Sequence, residues 1–365
     1  MKTNHQKIFI STGGTGGHIF PAISLADDLK EKYNIEIITD NRGLKYLSNY
    51  KKIKIKIINS STIFNKNIIK FFIGFIKVII SFFISILFII KNRPNLIIGM
   101  GGYSSFPFCV AGFCLRIPVL IYENNLVIGK ANKYLLPLVK KIVVSTNNVE
   151  GIIPKYKNKI FSSGYLIRRQ ILNLKKEEKE KSNLEDFSIL IIGGSQSAKV
   201  FGELLPHVMV NCFQNGIKIK IYQQCLEYQI EKIKKIYEKS KIQFELFSFS
   251  EDMTKFYKKA DLAITRSGAS TMAELTNLCI PSIAVPLPSS ADNHQQKNAK
   301  YFEERGCCYI LNETSLSDKL LKILLNLKEN KKKLFIMKKK MKEYSDINTV
   351  TKIEKLIEKI LNDKN

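Results

Sequence analysis

Two glycine-rich loops, Gly13-Gly14-Thr15-Gly16-Gly17-His18 and Gly193-Gly194-Ser195-Gln196-Ser197, each follow an apolar β-like run and open a helix-like run. A strand feeding a helix through glycines exposes unpaired backbone N–H groups and the positive end of the helix dipole, a natural seat for phosphate. Two such ends predict a phosphorylated donor and a second substrate. His18 stands one residue beyond the glycines at a helix start, and Pro21 suits the first turn. The positive helix end favours the neutral imidazole that a general base requires. A helix cap or a packing histidine is the alternative that the sequence leaves open.

In the second half, Arg266-Ser267-Gly268-Ala269-Ser270-Thr271-Met272-Ala273-Glu274 leads from a strand into another helix. Its small residues admit a ligand close to the backbone, and Ser270 and Thr271 add hydroxyls for phosphate or sugar. Glu274 has the acceptors to hold a ribose diol, unless it is a plain surface glutamate. The polar turn Ser289-Ser290-Ala291-Asp292-Asn293-His294-Gln295-Gln296 offers amides to sugar hydroxyls. No Asp-x-Asp occurs, and the His, Cys and carboxylate residues lack metal-ligand spacing, so the expected metal and cofactor inventory is empty. The first loop fails the dinucleotide fingerprint, because Ile19 stands where the third glycine belongs, and it lacks a P-loop ending. Asp40 nevertheless stands where a ribose-binding acid would, which keeps an NAD-linked oxidoreductase among the alternatives.

The elements that must position these residues alternate along the chain. Strand-like runs at Ile8–Ser11, Glu36–Thr39, Ile53–Ile58, Leu96–Gly99, Val119–Tyr122 and Ile142–Ser145 are separated by helix-like stretches. After the charged run Leu174–Asp186, read as solvated, the rhythm restarts at Ile189–Ile192, Lys218–Tyr222, Gln243–Phe247, Leu262–Thr265, Ser282–Val285 and Cys308–Leu311. This βαβ order predicts an α/β chain of two doubly wound, Rossmann-like domains facing one cleft, and 365 residues exceed what one core usually holds. The hinge is expected near Ser162–Gly164. The last stretch, Leu320–Ile360, is lysine-rich and helical in pattern.

Fifty-eight Lys+Arg against 32 Asp+Glu give a net charge of +26, a field that attracts anionic surfaces, although an AT-rich genome's lysine bias explains part of it. No RNA-recognition motif, zinc-finger spacing or basic-aromatic repeat accompanies the charge, so no nucleic acid is expected and an anionic membrane surface is the better partner. Ile68–Ile90 contains only Lys70 and Lys77 as charged residues and approaches the length of a bilayer span. Its flanking strands belong to one parallel sheet, however, so it reads as a crossover helix. Such a helix needs one apolar stripe for the core. Phe71, Phe72, Phe75, Phe82 and Phe83 are candidates to face lipid instead, with Lys51, Lys52, Lys54, Lys66 and Arg93 around them. Seven scattered cysteines without a C-x-x-C pair read as small core residues in a reducing cytoplasm, and the polar Met1–Gln6 predicts no secretory signal.

Taken together, these loops resemble those of the MurG family, the UDP-N-acetylglucosamine:undecaprenyl-pyrophosphoryl-MurNAc-pentapeptide N-acetylglucosaminyltransferases of peptidoglycan synthesis. The resemblance runs from Ile8 to about Arg305. It rests on the first glycine loop, Gly99-Met100-Gly101-Gly102-Tyr103, Glu123-x-Asn125, the second glycine loop, Arg266 to Ala269 with Glu274, and Asp292-x-x-Gln295. It implies a GT-B fold, with an acceptor- and membrane-binding domain over 1–163, a UDP-sugar domain over 164–344, and a terminal helix over 345–365 packing back on the first. It also implies metal-independent, inverting transfer of GlcNAc from UDP-GlcNAc to lipid I at the cytoplasmic face of the bacterial inner membrane. Carried over, His18 takes the proton from the acceptor C4 hydroxyl. Thr15, Gly16, Gly17, Asn125, Arg168, Ser195, Ser250, Ala269, Ser270, Thr271, Glu274 and Gln295 are implied to meet UDP-GlcNAc, and Gly14, Tyr103 and Glu123 the acceptor side.

The chain departs from the family pattern at four places. Tyr122 and Asn124 replace His and Gln around Glu123, Tyr165-Leu166 replace Asn-Pro before Arg168, and Ser197 stands where the second loop usually has glycine. Ser197 restricts backbone approach to phosphate if that position needs a positive φ. The rival readings are another GT-B enzyme (a glycolipid glycosyltransferase or a UDP-sugar epimerase) and a non-catalytic, membrane-associated nucleotide-binding module.

Overall fold

The computed structural model describes residues 6–47, 50, 53–61, 67–174, 187–248, 250, 252–345 and 348–363, and of 195–198 and 331 the backbone alone. Lys51, Lys52, Lys66 and the charged run beyond Leu174 therefore lie outside the described residues or side chains. The chain divides into two compact units, Met1–Arg169 with Asp346–Asn365, and Gln170–Ser345.

The first unit is a run of β1 (Lys7–Ser11), α1 (Gly16–Leu29), β2 (Asn34–Thr39), α2 (Asn41–Leu47), β3 (Lys54–Ile57), α3 (Ile68–Asn92), β4 (Leu96–Gly99), α4 (Ser105–Cys114), β5 (Val119–Glu123), α5 (Lys130–Leu135), β6 (Lys141–Val144) and β7 (Ile160–Ser162). The strands form one parallel sheet in the order β3-β2-β1-β4-β5-β6-β7. Strand periodicity sorts the core into two layers. Ile8 and Ile10 pack with Ile19, Leu25 and Leu29 of α1, whereas Phe9 joins Ile89 of α3 and Phe108 of α4 on the other face. The last described helix of the chain, Thr349–Asn362, adds Ile353, Leu356, Ile357 and Leu361 to the α1 side.

α3 joins β3 to β4, and both strands sit in this one sheet, so the helix is a crossover and does not separate them. It is the one helix among the described residues long and apolar enough to cross a membrane. Its packing is inverted relative to an ordinary amphipathic helix. The buried stripe is Gly74, Ser81, Ser85 and Ile89, the first three small enough to let α4 come close, while Phe72 (57 % exposed), Phe83 (60 %), Ile76, Ile80 and Leu87 face outward. Phe71 and Phe75 are exposed as well, but Phe82 packs against the core. That side chain follows the buried Ser81, and so lies on the boundary of the packed face.

In the second unit a short α6 (Arg169–Leu172) begins at the boundary and precedes β8 (Phe187–Ile192), α7 (Gly194–Gln214), β9 (Ile219–Gln224), α8 (Ile230–Lys239), β10 (Gln243–Phe247), α9 (Thr254–Lys259), β11 (Leu262–Thr265), α10 (Ala269–Asn277), β12 (Ser282–Ala284), α11 (His294–Glu303), β13 (Cys308–Ile310), α12 (Leu316–Glu329) and α13 (Lys331–Glu343). Six parallel strands run in the order β10-β9-β8-β11-β12-β13. Their core joins Ile189, Ile191, Ile221 and Ile264 to Phe201, Leu205 and Met209 of α7 and to Leu320, Leu324 and Leu327 of α12. The Thr349–Asn362 helix is α14.

Candidate active site

Both sheets reverse strand order at their centre, between β1 and β4 in one unit and between β8 and β11 in the other. In a doubly wound sheet, the crevice outside the strand ends at that reversal is where ligands bind. The glycine loops follow β1 and β8, and the loops Met100–Ser104 and Arg266–Gly268 follow their partners β4 and β11.

In the first loop Thr15 is the extended N-cap residue of α1, and Gly16 and Gly17 open the helix, where N–H groups have no intrahelical acceptor. Because α1 begins this early, Pro21 lies inside the helix instead of in its first turn. The Gly17 carbonyl thereby loses its i+4 donor. Gly14 has φ +84° and donates to Asp40 Oδ1 at 3.3 Å. The same Asp40 carboxylate accepts from the Gly43 amide at 2.9 Å and from Arg42 at 2.7 and 2.9 Å, and it is fully buried. Asp40 is thus committed to bracing the glycine loop and offers no ribose contact, which removes the support for a dinucleotide site.

His18 sits half-buried over the loop after β4. Gly101 and Gly102 have φ +88° and +81°, and a Cβ built on Gly101 would stand 2.9 Å from His18 Cε1 and Nδ1. Only glycine lets the imidazole lie this close to the backbone. On Gly102 the added carbon would meet the Gly13 carbonyl at 2.8 Å, so the two loops also touch main chain to main chain. Tyr103 follows, half-buried, at the approach to α4.

At the end of β5, Glu123 is buried and its carboxylate is fully engaged. Oε1 accepts from the Asn125 amide at 3.0 Å and its Nδ2 at 3.3 Å, and Oε2 accepts from the Gly129 amide at 2.9 Å and Asn132 Nδ2 at 3.0 Å. Glu123 therefore shapes the loop that presents Asn125. Asn132, which sequence reading missed, also donates to the Tyr122 carbonyl at 3.0 Å, and its Nδ2 is 3.7 Å from a Cβ built on Gly101. Its buried Oδ1 has no partner in the structure. The asparagine is an ordinary helix residue by pattern, and only the tertiary contact exposes its role.

Three of the departures from the family pattern form one hydrogen-bonded group. The Tyr122 hydroxyl donates to Asn124 Oδ1 at 3.0 Å and accepts from the Leu166 amide at 3.1 Å, a bond that proline at 166 could not supply. Burial pushes the Tyr122 phenol well above its ordinary range, so it remains a donor at any working pH. The group tethers the segment carrying Arg168, whose guanidinium lies 5.1 Å from the Phe20 ring centre. Tyr122→Phe leaves the buried Leu166 N–H unpaired and is expected to cost about 1–3 kcal/mol. Urea unfolding of the two proteins measures it, and a loss below about 0.5 kcal/mol would show that the tether is idle.

In the second unit Gly194 opens α7 with φ +68° and donates to Gln224 Oε1 at 3.0 Å. The positive φ of this loop thus falls on Gly194, and the backbone of Ser197 lies within the helix. The side chains of Ser195 and Ser197 lie outside the described residues. After β11, Arg266 is buried, donates to the Val285 and Pro286 carbonyls at 3.2 and 3.3 Å, pairs with Glu313 and lies over Phe201. It holds strand ends together and leaves the ligand surface to its successors.

Gly268 caps α10, a Cβ on it would meet nothing within 4 Å, and Ala269, Ser270 and Thr271 form the first turn. Glu274, 4 % exposed, accepts from the Tyr257 hydroxyl at 2.9 Å. Gln295 Oε1 accepts from the Leu287 amide at 2.9 Å, its carbonyl accepts from Ser267 at 2.8 Å, and its Nε2 is not used by these bonds. Asp292 is exposed with φ +50°. The Ser250 hydroxyl donates to the Asp252 carbonyl at 2.8 Å. No group of three or more His, Cys, Asp or Glu lies together among the described residues.

The glycosyltransferase family 28 N-terminal domain matches residues 8–144, and the family's C-terminal domain matches 188–360. The UDP-N-acetylglucosamine–N-acetylmuramyl-(pentapeptide) pyrophosphoryl-undecaprenol N-acetylglucosamine transferase of Pelagibacter ubique is 39 % identical over 360 residues, 98 % of this chain and 99 % of that protein. The protein of the same name from Rickettsia canadensis is 39 % identical over 332 residues, 88 % and 92 % of the two chains. The crystal structure of Acinetobacter baumannii MurG superposes with a TM-score of 0.75 at 26 % identity, covering 97 % of this chain and 99 % of that one. The chain belongs to the MurG family. Its fold is the two-domain GT-B fold of family 28, and it is a glycosyltransferase. Both glycine loops, and the β4 and β11 loops beside them, fall inside the matched domains.

Proposed function

We propose that the protein transfers GlcNAc from UDP-GlcNAc to the C4 hydroxyl of the MurNAc residue of lipid I, with inversion and without a metal, on the cytoplasmic face of the inner membrane. The observation that carries this reading is the His18 ring seated on Gly101 and Gly102 at the head of α1, beside the first-turn amides of Gly16 and Gly17. His18 takes the C4 proton as that oxygen attacks the anomeric carbon, and UDP departs from the opposite face. Negative charge grows on the departing diphosphate. The helix starts at Gly194 and Ala269, with Arg168, supply the dipoles and cation that stabilise it. Glu274 receives the ribose, and Asn125 and Gln295 read the GlcNAc hydroxyls. The names of relatives at 39 % identity supply the substrates.

The membrane side of this reading rests on α3. Its outward Phe, Ile and Leu residues beside Lys54, Lys56, Lys91 and Arg93 match a monotopic surface for anionic lipid. Phe72→Asp with Phe83→Asp is expected to weaken sedimentation with phosphatidylglycerol vesicles about tenfold or more while turnover of a short-chain, soluble lipid I analogue stays within about twofold, because surface substitutions away from the site change little. The deciding assay is transfer of labelled GlcNAc to that analogue with and without EDTA. Chelator-insensitive transfer is the expected result. Dependence on Mg²⁺ would remove the dipole account, and nicotinamide binding without UDP affinity would remove the reading itself.

A further inference from the structure

The second unit carries an outward face that the transfer reaction does not use. On α13 the buried stripe is Leu334, Met337 and Met341. The opposite side presents Phe335, 69 % exposed, and Ile336, 48 % exposed, among Lys332, Lys339 and Lys342. Residues 316–343 hold ten lysines against three acids. Among the described residues of this unit, five large apolar side chains are exposed, and Phe335, Ile336 and Tyr344 bring three of them to α13 and its C-cap. Next to them, between α12 and α13, lies a groove of about 270 Å³ lined by Tyr309, Lys322, Ile323, Asn326, Leu327 and Lys333. Its floor is apolar, and Lys333 Nζ is held by Asn326 Oδ1 at 2.6 Å.

We propose that the α12–α13 face is a second membrane contact, distinct from α3, which takes the phosphate of anionic phospholipid between Lys322 and Lys333 and inserts Phe335 at the acyl boundary. Solubility alone would be served by lysine at every outward position. An aromatic and a branched aliphatic side by side on a basic face instead match the chemistry of an interfacial helix, with apolar insertion and cationic attraction on one surface. The excess of ten lysines over three acids, one of which, Glu343, pairs with Lys340, selects an anionic lipid surface over a zwitterionic one.

The chain contains no tryptophan, so single-tryptophan variants report each surface separately. Phe335→Trp, Phe72→Trp on α3, and Tyr228→Trp at an exposed turn of the second unit are titrated in the full-length protein with vesicles of phosphatidylglycerol and phosphatidylcholine, or of phosphatidylcholine alone. The expected result is a blue shift of the Phe335→Trp emission and its quenching by brominated acyl chains, with anionic vesicles only, while Tyr228→Trp does not move. Lys332→Gln and Lys339→Gln should each weaken vesicle binding about fivefold when α3 is disabled by Phe72→Asp and Phe83→Asp. If Phe72→Trp shifts and Phe335→Trp behaves like Tyr228→Trp, the α13 contact is refuted and the α3 reading stands. If Phe335→Trp alone shifts, this proposal stands and the α3 reading falls. A shift that follows protein concentration without vesicles would make the face a self-association surface and overturn the lipid assignment.

Discussion

His18→Ala is expected to lower kcat for transfer to a lipid I analogue by about 10²- to 10⁴-fold, the range a positioned general base contributes. UDP affinity should stay within a few-fold, because the residues expected to hold the nucleotide lie mainly in the loops after β8 and β11, while His18 lies in the first turn of α1. The imidazole is half-buried and rests on glycine backbone, so its removal leaves a small gap. Global stability should therefore change by only about 1 kcal/mol. The measurement pairs turnover with UDP calorimetry on one preparation. Unaltered turnover would remove His18 as the base. Loss of turnover together with loss of UDP affinity would assign His18 to donor binding.

The α/β class and the strand positions were legible because parallel strands buried on both faces read as short β-branched runs, as at Leu96–Gly99 and Leu262–Thr265. Glycine loops at strand ends marked both chain reversals for the same reason. What stayed hidden depended on hydrogen bonds and packing that the fold alone sets. Asp40 looked like a ribose ligand until Arg42, Gly43 and Gly14 filled its acceptors. Asn132 carried no signal of its own, since an asparagine in a short helix is unremarkable before Glu123 and Gly101 are brought beside it. In α3 an apolar run on all sides could not announce which face packs. The clue was the small-residue stripe Gly74, Ser81 and Ser85, beside which Phe82, a candidate for the lipid face, packs against the core.

Gly101→Ala separates the position of His18 from its chemistry. A non-glycine residue at φ +88° costs about 1–2 kcal/mol, a loss the fold should survive. The added methyl would meet the His18 ring at 2.9 Å, and a side-chain ring moves more readily than backbone. The imidazole is therefore expected to swing off its seat, and displacement by about 1 Å lowers kcat by about 10²-fold. In a His18→Ala background that clash is gone, so adding Gly101→Ala should change turnover by little more than the backbone strain. The two substitutions are then strongly non-additive. Gly102→Ala behaves differently, because its methyl meets the Gly13 carbonyl at 2.8 Å and main chain must shift. That variant should lose stability along with turnover, whereas Gly101→Ala should lose mainly turnover. Equal losses on adding Gly101→Ala to the wild type and to His18→Ala would mean that the glycine serves the loop alone and that the imidazole is placed by something else.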